Sequence, residues 1–378
     1  MLIIFSGFNQ RAVIAFVREL KKIKYEDYCI IACGNEDSIL KTEYSHKIFA
    51  IRQHIELFKP EIYSILAGLV KVYEHTKHVI VPSTEALDRF LLDNREEIEA
   101  IGIYVPLVSK ALYETVSDKQ SFWEVCKYAG LVVPEKTQIS VEYDKRYVAK
   151  PKKYISSSGI QLKPVIVDNE KKHRAFLKDY NESDYDIQEY IDGESIYLLF
   201  YLAKTGKNYA YSQRNMIQQP DGKSILIAES CDTHTEKVAE TYIELLRDMS
   251  FWGFIMIELR KKDGIYYMIE ANPRLWGPSQ LFVDADVPFI EAFMYDCNLC
   301  ETIPQIKDEK YSIYLWSGGF KNNVSEERKC VWLEGGKEFV VDNIEIIEKS
   351  DLYNRSDTIE IFKDELPEGS LETWIEQI

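Results

Sequence analysis

The stretch FIMIELRKKDGIYYMIEANPR, residues 254–274, carries the sharpest signal in the chain. Two apolar runs, Phe254–Leu259 and Ile265–Ile269, flank Lys262-Asp263-Gly264. Asp-Gly between such runs predicts an antiparallel hairpin. Alternate residues of a strand share a face, so Glu270 and Asn272 point the same way. Residues opposite each other across the pair approach to about 5 Å, which brings Glu258 to them. Strands this apolar read as buried, and a buried carboxylate needs a partner or a metal. Two carboxylates and a carboxamide form a set of hard oxygen ligands of the kind Mg²⁺ takes beside substrate phosphates. Arg274 adds a fixed cation nearby. Solvent-facing glutamates and a structural arginine are the bland alternative, which the apolar context outweighs.

Upstream, residues 145–252 alternate strand and turn signals. Tyr147–Lys150 predicts a short strand ending in Lys150-Pro151, followed by the loop Ser156-Ser157-Ser158-Gly159 and a strand at Val165–Val167. Backbone N–H groups of a Ser/Gly loop can cradle phosphate oxygens, with a lysine as a point charge on them. Alone this is a weak motif, and no Walker A sequence is present. Gln188-Glu189-Tyr190-Ile191-Asp192-Gly193-Glu194 reads as strand, turn, strand, and by itself specifies only a turn. Ser195–Ala203 is a long apolar strand, Gly206 and Pro220-Asp221-Gly222 mark turns, and Lys237–Met249 has helical spacing.

Residues 1–115 alternate short apolar runs (Leu2–Ser6, Tyr28–Cys33, Lys47–Ile51, His78–Val81) with helical patterns, including Ile62–Tyr73 and a charged surface helix over Leu87–Ile101. That alternation predicts a parallel sheet covered on both faces. The first turn, Ser6-Gly7-Phe8-Asn9-Gln10-Arg11, lacks G-x-G-x-x-G, which counts against a nicotinamide-dependent dehydrogenase. Strand ends of this domain should face the cleft, making Asn9, Arg11 and Ser83-Thr84-Glu85 candidate substrate contacts. Residues 301–378 are acidic, with strand-like stretches at Ile313–Trp316, Val331–Leu333 and Ile344–Ile347.

The whole chain of 378 residues has 46 Lys/Arg against 62 Asp/Glu, a net charge of −16. Over half of that excess lies in residues 301–378, with 9 basic against 18 acidic residues. This disfavours a nucleic-acid or anionic-membrane surface, which demands clustered cations. No run approaches the roughly 20 apolar residues of a membrane span. Seven scattered cysteines suggest no disulfide framework. The lone Cys297-x-x-Cys300 lacks the second pair a zinc site wants, and reads as two half-buried helix residues. A cytoplasmic location is expected.

In this order the pieces resemble the ATP-grasp superfamily. The matching elements are Asp118-Lys119 before a helix; Ala149-Lys150-Pro151 before Ser156–Gly159; Gln188-Glu189-Tyr190-Ile191 with Gly193-Glu194; Gln213-Arg214 with Pro220 and Ala228-Glu229-Ser230; and Gly253–Glu258 followed by Glu270–Arg274. The resemblance covers roughly residues 1–300 and leans toward stand-alone proteins similar to half of the carbamoyl-phosphate synthetase large subunit. It implies an α/β and α+β chain: a Rossmann-like pre-ATP-grasp domain over 1–115, a small lobe over 116–187, a large lobe with the metal site over 188–300, and an acidic extension over 301–378. By the same resemblance, Lys119, Lys150 and Ser156, Ser157, Ser158 and Gly159 contact ATP phosphates. Gln188, Glu189, Tyr190 and Ile191 contact ATP, with Glu189 and the Ile191 backbone at adenine, and Glu194 binds ribose. Glu258, Glu270 and Asn272 hold two Mg²⁺ ions, for which Mn²⁺ can substitute. Arg214 and Arg274 steady the transferring phosphoryl group. The implied chemistry is activation of a small carboxylate as an acyl phosphate for attack by an amine or another nucleophile. The alternative is a nucleotide-binding module without turnover. Neither nucleic acid nor membrane is expected as a partner; a homodimer is compatible with the reading. The loop carries three serines and one glycine where relatives often carry more glycine, and Asp284–Pro288 lacks a glycine common after the N-P-R segment.

Overall fold

The structure is a computed structural model that describes residues 1–74, 76–152, 162–306, 309–324, 330–366 and 368–376. The Ser156–Gly159 loop lies outside the described residues.

The N-terminal runs form strands β1 (Leu2–Phe5), β2 (Tyr28–Cys33), β3 (Ile48–Arg52), β4 (His78–Ile80) and β5 (Ile103–Tyr104). They pair in parallel in the order β3-β2-β1-β4-β5. The order reverses beside β1, so the loops after β1 and β4 open a crevice at the carboxyl ends of the strands. Gly7 makes the first turn with φ of +85°, and a Cβ there would stand 2.1 Å from that of Cys33. Only glycine fits.

Three strands, β6 (Tyr147–Pro151), β7 (Val165–Val167) and β8 (Tyr185–Glu189), form a small antiparallel sheet in the order β7-β6-β8. It has its own core around Tyr147, Phe176, Tyr185 and Ile187. A seven-stranded sheet follows, from β9 (Glu194–Leu202), β10 (Asn208–Gln218), β11 (Ile225–Ser230), β12 (Gly253–Lys262), β13 (Ile265–Asn272), β14 (Ile313–Leu315) and β15 (Val331–Trp332). Its order is β13-β12-β9-β10-β11-β14, with β15 on β10. The hairpin predicted from residues 254–274 is β12–β13, with Asp263 and Gly264 both at positive φ.

One face of the large sheet (Tyr197, Leu199, Tyr201, Met256) shares a core with the helix Gln10–Lys22 and with Trp276 and Phe293. The other face (Ile196, Leu198, Ile257, Leu259) packs with Phe122, Tyr242 and Leu246. Among the described residues no helix is long and apolar enough to cross a membrane.

Three expectations are corrected. Ile344–Ile347 is not a strand but part of the helix Gly336–Lys349, whose buried Gly336, Val340 and Ile347 follow helical spacing. The helical period overrides the β-branched run. The charged helix over 87–101 is two helices, Glu85–Asp93 and Arg95–Ala100, broken at Asn94. The Asn94 amide donates to the Phe90 carbonyl at 2.8 Å and ends the first one. Cys297 and Cys300 follow the helix Phe289–Asp296 rather than lying on it.

The acidic C-terminal stretch is stitched to the first helix. Arg18 donates to both carboxylate oxygens of Asp357, at 2.7 and 2.9 Å, and to Gln280, Thr358 and the Leu352 carbonyl. Tyr44 also donates to Asp357 at 2.7 Å. Burial pushes the Asp357 carboxyl up, but the Arg18 bonds and charge and the Tyr44 hydroxyl leave it below the usual range. Removing one member of a buried ion pair costs roughly 3–5 kcal/mol. Asp357→Asn is therefore expected to lower the unfolding free energy by about 3 kcal/mol in urea titrations at pH 7. A depressed folded pKa makes this contribution complete above the unfolded carboxyl value and lost as pH falls through the folded one. The gap between wild type and Asp357→Asn should close on acidification below about pH 4.

Candidate active site

The β12–β13 register places Glu258 directly opposite Glu270 and Met256 opposite Asn272. Glu270, Asn272 and Arg274 form a relay in which the Asn272 amide donates to Glu270 at 2.9 Å and Arg274 donates to Asn272 Oδ1 at 3.1 Å. Lys119, the first residue of the helix Lys119–Tyr128, reaches Glu270 with its Nζ at 2.5 Å. Asp118 caps that helix through the Ser121 N–H, which aims the lysine. Lys150, near the end of β6, donates to the Ile269 carbonyl at 3.1 Å and lies 4.6 Å over the Trp123 ring.

The electrostatics separate the two glutamates. Burial, then the Glu270 charge, push Glu258 up to about 7. Burial acts on Glu270 in the same direction, but the charge and hydrogen bond of Lys119, the Asn272 amide and Lys150 bring it down to about 2. Lys150 is pulled down to about 7 by burial and by Lys119, against the two glutamates. Lys119 is raised, chiefly by Glu270.

These groups line two cavities with a common wall. One, of about 510 Å³, is bordered by Lys119, Lys150, Gln188, Glu270, Asn272 and Arg274. The other, of about 640 Å³, has Glu258, Glu270, Asn272 and Arg274 on one side and Asn9, Arg11, Thr84 and Glu85 on the other. Thr84 caps the helix that begins at Glu85, and the Asn9 amide ties the first turn to the Ser83 and Leu275 carbonyls. Of the candidate contacts at the strand ends of the first domain, Asn9, Arg11, Thr84 and Glu85 thus lie at the second cavity, and Ser83 does not border it.

The remaining predicted residues lie elsewhere. Arg214 is registered against Ile196, whereas Glu258 is registered against Tyr197. Side chains alternate along a strand, so Arg214 stands on the opposite face of the sheet from Glu258. It donates to Glu229 at 2.5 and 3.0 Å and to Glu194 at 3.2 Å, and Tyr311 donates to Glu229 at 2.5 Å. Glu194 is therefore held in an ion pair. Glu189 bonds the Glu135 backbone at 3.0 and 3.1 Å. Tyr190 lies under Arg146 at 5.7 Å, and Ile191 is buried. None of these five borders either cavity.

Residues that sequence reasoning missed include Trp123, Lys136 and Asp186 in the smaller cavity, with Lys136 paired to Asp186 at 3.2 Å. Trp123 was detectable, since it lies four residues after Lys119 and so on the same helix face. Lys136 carries no local signal; an isolated β-bridge beside Gln188 brings it in.

Among the described residues no group of three or more His, Cys, Asp or Glu side chains is arranged to hold a metal. The hairpin set of two carboxylates and a carboxamide nevertheless suits a hard cation. Glu258 is 8% exposed, its carboxylate accepts no hydrogen bond among the described residues, and Arg260 comes no nearer than 3.8 Å.

No curated protein matches the sequence. The chain is similar in structure to N5-carboxyaminoimidazole synthetase from Staphylococcus aureus, with 14% identity, a TM-score of 0.62, and 92% of this chain and 97% of that one covered. It is also similar to a biotin carboxylase–β,γ-ATP complex from Campylobacter jejuni (16% identity, TM-score 0.58, 82% and 74% covered). A third is the biotin carboxylase domain of the Hydrogenobacter thermophilus 2-oxoglutarate carboxylase, solved with MgADP, ADP and bicarbonate (15% identity, TM-score 0.58, 82% and 73% covered). At these identities the likeness establishes the fold. The family model described as "ATP-grasp domain" matches residues 116–278, the stretch that contains Lys119, Lys150, Glu258, Glu270, Asn272 and Arg274, and that stretch is an ATP-grasp domain.

Proposed function

We propose that the protein is an ATP-dependent ligase that activates a carboxylate as an acyl phosphate and passes the acyl group to an amine. The observation that carries this reading is the shared wall of Glu270, Asn272 and Arg274 between two cavities. A group handed from one cavity to the other must cross that wall, and phosphoryl transfer asks the protein chiefly for positioning and charge neutralisation there.

In this reading the smaller cavity takes the ATP phosphates. Lys119 and Lys150 meet them as point charges, and Gln188 borders the same space. By the same resemblance, Glu189, Tyr190, Ile191 and Glu194 are assigned to the adenosine, and Ser156–Gly159, outside the described residues, to the phosphates. Glu258, Glu270 and the Asn272 carbonyl would hold Mg²⁺, which would supply positive charge to offset that of the nucleotide phosphates. Lys119 gives up its ion pair with Glu270 as the nucleotide arrives and turns to the phosphates. A carboxylate oxygen of the substrate in the larger cavity attacks the γ-phosphorus, the bond to the β,γ-bridging oxygen breaks, and ADP leaves. Arg274 neutralises the oxygens of the transferring group. The amine then attacks the acyl carbon, inorganic phosphate departs, and the amine proton is lost to solvent. Arg214 is assigned no contact with the reacting atoms; it braces Glu194 and Glu229 on the other face.

ADP release, coupled to a reporter and screened over pairs of acids and amines, tests the reading. Glu270→Gln should lower turnover at least a hundredfold while leaving the far-ultraviolet circular dichroism unchanged; full turnover would remove the proposed metal role. Lys150→Met should raise the KM for ATP by roughly tenfold, the size of one lost charged contact. Mg-ATP bound tightly, with no phosphoryl transfer in a single turnover to any acid, would replace the ligase with a nucleotide-binding module.

A further inference from the structure

The larger cavity has two chemically distinct ends. Glu258, Glu270, Asn272 and Arg274 occupy one, on β12, β13 and the turn beyond. Arg11, Lys223 and Ser224 occupy the other, at the start of β11. The two ends are offset along the strands as well as across them: Glu258 is registered against Tyr197 and Tyr197 against Gln213, whereas Ile225 is registered against Gln218.

The far end is rich in donors. Arg11 has no carboxylate within ion-pair reach among the described residues. It donates to Ser224 Oγ at 2.8 Å, Tyr314 OH at 3.3 Å and the Ile225 carbonyl at 3.4 Å, and lies 3.9 Å over the Trp316 ring. Glu365 feels the Arg11 charge, but accepts instead from the Trp316 indole at 2.9 Å. Lys223 has neither an ion pair nor a side-chain hydrogen bond among the described residues. Trp276 lines the same cavity, is 1% exposed, and its indole N–H has no acceptor among the described residues. A buried donor without an acceptor is unfavourable, and a guanidinium fixed by packing is already shaped for a planar oxyanion.

We infer that the substrate of the larger cavity is a dianion. Besides the carboxylate activated beside Arg274, it carries a second carboxylate or a phosphate, held by Arg11, Lys223 and the Trp276 indole at the far end. Its body lies along Phe8, Tyr197 and Met256. The activated group rests on the ligase reading; the far-end oxyanion site does not.

Titration calorimetry of the full chain in saturating Mg-ADP tests this. The probes are straight-chain α,ω-dicarboxylates of four to ten carbons, ω-phosphono acids of the same lengths, and the matching monocarboxylates. At the best length a dianion should bind at least tenfold more tightly than its monocarboxylate, and the phosphono and dicarboxylate arms identify the second group. Lys223 is exposed, so Lys223→Gln should fold normally; it should reduce the preference to under threefold with Mg-ADP affinity unchanged. Arg11→Gln, checked by circular dichroism, should do the same. Equal binding of dianion and monoanion, binding of neither, or a preference that survives Lys223→Gln overturns the inference. ADP release that is as good with monocarboxylates as with dianions sinks this site and leaves the ligase standing. Dianion binding without ADP release for any acid does the reverse.

Discussion

Two carboxylates set opposite each other on a buried hairpin repel. At about 5 Å and an effective dielectric near 20 the repulsion is on the order of 3 kcal/mol. β12–β13 holds Glu258 and Glu270 in that arrangement, and the surrounding structure answers it. Lys119, presented by a helix capped at Asp118, neutralises Glu270. The Asn272 amide donates to Glu270 while its carbonyl is steadied by Arg274. Glu258 has Arg260 no nearer than 3.8 Å and, buried beside Glu270, is pushed toward its protonated form. The helix, the small sheet that brings Lys150, and the turn that carries Arg274 converge because one pair of acids has to be compensated.

That convergence makes the hairpin end a partition. The cavity toward the small sheet is bordered by lysines, and the cavity toward the parallel sheet by the strand-end loops of the first domain. Neither sheet alone builds a site. The parallel sheet contributes through its order reversal beside β1, the antiparallel sheet through its register.

Much of this was legible in the sequence. The hairpin declares itself through Asp263-Gly264 and the apolar runs, and alternation gives Glu270, Asn272 and the opposing Glu258 without any relative. The lysines follow only from the resemblance; their local sequence is weak. The face on which Arg214 stands was not legible, because it depends on a register of β10 against β9 that one residue of slip would invert. Ile344–Ile347 misled because a tetrapeptide with three isoleucines is too short to show its period. Lys136, Lys223 and Trp276 carry no motif. Contacts between segments far apart in the chain bring them to the cavities, and such contacts leave no trace in local composition.

The stitching of Arg18 to Asp357 spans 339 positions of the chain. β14, which pairs with β11, and β15, which pairs with β10, also come from beyond residue 310. A ribosome adding roughly 5–20 residues per second would expose the first helix well before its partner is synthesised. Until then the buried face of Arg18 and the flank of β11 stay open to water and to other chains. Contacts of this sequence separation slow folding. The Arg18 pair therefore cannot close until the segment that carries Asp357 has been made, and a chain stalled short of it would keep that surface uncovered.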